Sequence, residues 1–164
     1  MTAGFSISLA VVCALIVVAR FVLPQLPLAR AGVRISGAEV ALLGVGVLGL
    51  TFHCTAMFFR QLFGGIPAVR PLVDAVNGMG VASIALYVVP AALVLIGLRR
   101  QHWIALAVMT LALVAVGLTM YLGSPLRLHL ASIFLAVVLL VGVLSLLVRG
   151  PWQRREAGAA APLA

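Results

Sequence analysis

Residues 36–60 read SGAEVALLGVGVLGLTFHCTAMFFR. Ser36 followed three residues later by Glu39 is a capping-box pattern, in which two side chains satisfy amides that the first turn of a helix leaves unpaired. From Val40 onward the run is apolar, with His53 as its one ionisable imidazole before Arg60. Its length matches the roughly 20 helical residues that cross hydrocarbon. Gly46, Gly49, His53, Met57 and Arg60 recur at three- and four-residue spacing and so share one helix face. Small residues let helix backbones approach closely, so this face is expected to pack on protein. His53 then points into a bundle, about 10 Å along the helix from Arg60 at about 1.5 Å per residue.

The rest of the chain repeats this signal. Of 164 residues 65% are apolar and 9% charged, and the mean hydropathy is +1.29, outside the soluble mixture. Apolar runs predict five transmembrane helices at Phe5–Leu23, Gly37–Arg60, Ala75–Leu98, Trp103–Leu122 and Leu128–Val148. The expected fold is an all-α polytopic membrane bundle, one domain over residues 1–149, with 150–164 as a short disordered cytoplasmic tail. No basic residue precedes the first run and no small-residue cleavage site follows it, so it reads as a span and not a secretory leader. Gly64, Gly65, Pro67 and Pro71 break up Gln61–Asp74, which is expected to lie on the membrane interface. Pro90 should bend the third helix. Arg99-Arg100-Gln101-His102 is a hinge short enough to make the third and fourth helices a tight antiparallel pair, and Gly123-Ser124-Pro125 turns the chain into the fifth.

All 11 basic residues are arginine, against Glu39, Asp74 and Glu156, which gives a formal charge of +8. They stand singly or in pairs at the ends of apolar runs, as membrane anchors do, and give no nucleic-acid surface. One side receives three (Arg60, Arg70 and Arg127). The other receives eight (Arg20, Arg30, Arg34, Arg99, Arg100, Arg149, Arg154 and Arg155). The positive-inside rule therefore predicts an outer N-terminus and a cytoplasmic C-terminus, and Trp103 and Trp152 fall on that inner side. The lack of lysine and the wealth of Ala, Val, Leu, Gly and Arg associate the chain with a GC-rich bacterial genome, hence with a multi-pass place in the bacterial inner membrane.

His53 and His129 are the pair to weigh as haem b or copper ligands, since both fall in the outer half. The plain alternative is an imidazole hydrogen-bonded to a neighbouring helix. Asp74 reads as the cap of the third helix, where its charge suits the dipole. Asn77 and Tyr121 are further polar candidates, and with His53, Asp74, Cys54, Met57, Met79 and Met120 they make the outer half the more polar and sulfur-rich, while Tyr87, in mid-membrane beside Pro90, is a candidate to line a small cavity. Met and Cys are also ordinary core fillers. His102 belongs to the inner interface. Zinc-protease histidines, a phosphate-binding glycine loop and Cys-x-x-Cys are missing, which points away from an enzyme. The leading expectation is an accessory or structural subunit whose partner, besides lipid, is another membrane protein or a second copy. The alternatives are a haem b or copper redox protein and a small oligomeric transporter or channel.

Overall fold

A computed structural model describes residues 3–22, 36–101 and 103–147. All regular structure among them is helical. The elements are α1 (Ala3–Val22), α2 (Gly37–Phe58), α3 (Arg70–Asn77), α4 (Val81–Gly97), α5 (Trp103–Tyr121) and α6 (Leu126–Leu147), with two short 3-10 turns at Arg60–Phe63 and Pro67–Val69. Four helices (α1, α2, α5 and α6) are long and apolar enough to cross a membrane, and α3 with α4 makes up to a fifth span. This is the build of a multi-pass membrane helical bundle. The expected tail 150–164, Arg30, Arg34, His102 and Trp152 lie outside the described residues.

The third predicted helix, Ala75–Leu98, is not continuous. It breaks at Gly78, Met79 and Gly80, and the helical stretch Pro67–Asn77 meets α4 at 101°. Met79 holds φ 51°, left-handed backbone that a side chain adopts at a cost. Pro90, the expected site of the bend, is carried inside α4. With α4 along the bundle, α3 runs across it. Gln61–Asp74, expected to be non-helical, holds both 3-10 turns and the start of α3, with Pro71 in the first turn, where its missing amide donor costs nothing. Asp74 consequently sits inside α3, not at a helix start, and pairs with Arg60 at 2.5 Å.

The Ser36 capping box is formed: Ser36 N donates to Glu39 Oε2 at 2.9 Å and Glu39 N donates to Ser36 Oγ at 3.3 Å. Glu39 also reaches the α4–α5 hinge, with Oε1 3.0 Å from Arg100 Nε and 3.6 Å from Arg99 Nε. Arg20, expected as a lipid-facing anchor, is instead buried, and its Nε donates to Ser145 O of α6 at 3.0 Å. A carbonyl near the end of α6 can accept because helix ends leave their last carbonyls unpaired.

The closest packing joins α2 to α4, ahead of the expected α4–α5 pair. Its cause is steric. A Cβ on Gly46 would lie 2.7 Å from Pro90 O, one on Gly49 2.6 Å from the Pro90 ring, and one on Gly97 2.6 Å from the Leu43 side chain. Only glycines admit this separation. On the other side α1 packs on α6 and α6 on α5, and α4 meets α5 to join the halves. Leu43, Tyr87, Val94, Met109, Val116 and Ile133 lie in the core between them.

Candidate functional site

Polar side chains gather where α2, α4, α5 and α6 meet, around Thr119, Met120 and Tyr121 at the end of α5. The face that carries Gly46 and Gly49 on α2 also carries His53, so the close approach to α4 draws the imidazole inward and leaves it 1% exposed. Its Nε2–H donates to Met120 Sδ at 3.4 Å, and its ring meets Tyr87 edge to face at 5.6 Å. Tyr87 is fixed in turn, because its hydroxyl donates to Leu113 O at 2.6 Å.

His129 enters from the first turns of α6, 4% exposed. Its Nδ1 lies 3.0 Å from Thr119 Oγ1, and Phe58 of α2 stacks on its ring at a centroid distance of 6.0 Å. Thr119 Oγ1 lies 2.9 Å from Ser132 Oγ, which donates to His129 O at 2.8 Å. Two ring nitrogens, Nδ1 of His53 and Nε2 of His129, are buried with no hydrogen-bond partner among the described residues.

The remaining candidates serve the chain reversal. Asn77 Nδ2 donates to Val73 O at 2.8 Å and to Ala56 O at 3.1 Å, which ties the end of α3 to α2. Ser83 Oγ donates to Val76 O at 2.9 Å and lies 3.1 Å from Tyr121 Oη. Asp74 stands apart with Arg60, half-exposed, beside a cavity of about 440 Å³ that Arg70 and Gln61 also line. The structure thus brings His53, Tyr87, Tyr121 and His129 around one end of α5, leaves Asp74 outside, and gives Asn77 a structural bond. Thr119 and Ser132 were missed in the sequence, where a hydroxyl on an apolar helix carries no signal until a partner faces it.

Between α2 on one side and α5 and α6 on the other runs a cleft of about 380 Å³. Its walls are mainly apolar, including Leu50, Phe58, Leu113 and Ile133, with Thr51, Cys54, Thr55 and Tyr87 as polar exceptions. Among the described residues no group of three or more His, Cys, Asp or Glu side chains is placed to hold a metal ion.

The fold and this polar belt define a class, the all-α multi-pass membrane bundle. Compared with known proteins, the chain matches no family model, no curated protein and no solved structure.

Proposed function

We propose that the protein is an accessory or structural subunit of a membrane complex in the bacterial cytoplasmic membrane, packed against another membrane protein or a second copy of itself. The observation that carries this reading is the glycine-mediated contact of α2 with α4, backed by a cleft that is mainly apolar. A transporter or channel needs polar groups lining a water path. Here the hydroxyls of Ser83, Tyr87, Thr119 and Ser132 are bonded within the bundle. Such an interior stiffens a scaffold.

In this reading the N-terminus lies outside and the C-terminus in the cytoplasm, as the arginine count requires. The Glu39–Arg99–Arg100 cluster then sits at the inner surface and the Arg60–Asp74 pair at the outer. A cysteine placed in the Arg99–Gln101 hinge should resist an impermeant thiol reagent in whole cells, and one beside Arg70 should react. The reverse pattern refutes the orientation. A tagged chain purified under mild solubilisation should bring a stoichiometric partner or emerge as an oligomer. A monomer alone under every mild condition refutes the subunit reading.

A further inference from the structure

Most described arginines of this bundle are engaged by the protein itself. Arg20 bonds a carbonyl of α6, Arg60 pairs with Asp74, and Arg99 and Arg100 converge on Glu39. Arg70 and Arg127 make no ion pair or hydrogen bond among the described residues. Arg127 is exposed in the first turn of α6 and lies outside the cavity of about 440 Å³ beside α3, whereas Arg70 lines that cavity.

The bend at Gly78–Gly80 sets where this cavity lies. Because Pro67–Asn77 meets α4 at 101°, a spanning α4 puts α3 nearly parallel to the membrane plane, at the end of the bundle where α2 stops and α4 begins. Val69, Val73 and Val76, at three- and four-residue spacing, share one side and pack with Ala56 in a small core. Arg70 and Asp74, one turn apart, share another side and both line the cavity. Leu62, Ile66 and Leu72 of the same segment are large apolar side chains left exposed. Uncovered apolar side chains beside arginine, on an element lying across the bundle end, suit the level of the lipid headgroups.

We propose that this cavity holds the phosphate of one anionic phospholipid, with Arg70 as its principal ligand. Arginine presents a planar fork of donors that matches phosphate oxygens. Gln61 lines the same space with an amide that can donate, and so does Arg60, held by Asp74. The charged residues there are Arg60 and Arg70 against Asp74, one net positive charge. A phosphodiester to an uncharged alcohol cancels that charge, and a zwitterionic head does not. The Asp74 carboxylate opposes the phosphate, and its pairing with Arg60 limits the repulsion. Exposed Leu62, Ile66 and Leu72 favour a lipid over a free phosphate ester, because acyl chains can cover them. The site is independent of what the bundle packs against and of which end faces the cytoplasm.

The test presents the purified full-length chain in detergent with dioleoyl phosphatidylglycerol, dioleoyl phosphatidylethanolamine or glycerol 3-phosphate, and counts bound species by native mass spectrometry. The expected result is one phosphatidylglycerol per chain, held about tenfold more tightly than phosphatidylethanolamine and not displaced by excess glycerol 3-phosphate. Arg70→Gln should weaken that binding about tenfold, and Arg127→Gln should bind as the parent does. Asp74→Asn, which removes the opposing carboxylate and frees Arg60, should bind phosphatidylglycerol more tightly. Equal affinity for the two lipids, undiminished binding in Arg70→Gln, an equal loss in Arg127→Gln, or displacement by glycerol 3-phosphate overturns the proposal. Should Arg70→Gln fail to fold, Asp74→Asn decides, and unchanged or weaker binding there overturns it.

Discussion

Replacing Gly46 by Ala tests whether backbone contact between α2 and α4 holds the bundle together. The added Cβ would lie 2.7 Å from Pro90 O and 2.9 Å from Val94 N, where ordinary contact begins at 3.4 Å. Both obstacles are backbone atoms of a helix, so no side chain can turn aside. The helices must separate locally by about 0.7 Å, which forfeits a quarter to a half of the attraction of each contact that opens. Overpacking of this kind costs about 1–3 kcal/mol. Alanine also favours helix over glycine by about 1 kcal/mol, a gain that would mask part of the loss. Gly44 supplies the correction, since it lies on the same helix and a Cβ there meets nothing within 4 Å. Gly44→Ala should therefore be neutral or stabilising, and Gly46→Ala should be less stable than Gly44→Ala by about 1–3 kcal/mol. Reversible unfolding in mixed micelles, or thermal unfolding in one detergent, measures the difference. Equal stability of the two variants would refute the argument that glycine is required there for close approach.

Ser83→Ala removes a fully buried hydroxyl that joins α3, α4 and α5, and should cost about 0.6–2 kcal/mol, the range for interhelical bonds in membranes. Tyr121→Phe, which spares the Ser83 bond to Val76 O, should cost less in the same unfolding assay. Met79→Ile should destabilise by about 1–2 kcal/mol, because a β-branched residue resists the left-handed backbone, while Met79→Gly should be tolerated. Arg60→Ala should shift stability by less than about 1 kcal/mol and lose even that in high salt, since both partners of its ion pair are more than half exposed.

The burial of His53 was legible in the sequence for a simple reason. An imidazole on the same helical face as two glycines must go where the glycines go, and they mark a close helix contact. The partners of that imidazole were not legible. His53 meets Met120 and Tyr87, because the crossing of α2 and α4 at Pro90 sets the rotation of the face. His129, near the start of α6, is covered by Thr119 of α5 and by Phe58, a burial that its sequence neighbours do not announce.

Sequence by itself determined the class, an all-α chain whose long apolar helices suit a membrane, because a run of about 20 apolar residues in water is untenable and backbone polar groups in hydrocarbon must bond within a helix. It also determined the α2 start at Ser36 and Glu39, a device that acts within four residues. Tertiary structure alone decided that the third predicted helix breaks at Gly78–Gly80 and turns there through about a right angle, with Pro90 carried inside α4. A proline's lost hydrogen bond is a local cost that α4 absorbs by packing its ring against Gly49, whereas the reversal is held by distant groups, with Asn77 reaching Ala56 and Ser83 reaching Tyr121. Tertiary structure likewise turned Arg20 inward and closed Glu39 onto the hinge arginines, since pairing between residues far apart in the chain depends on which helices become neighbours.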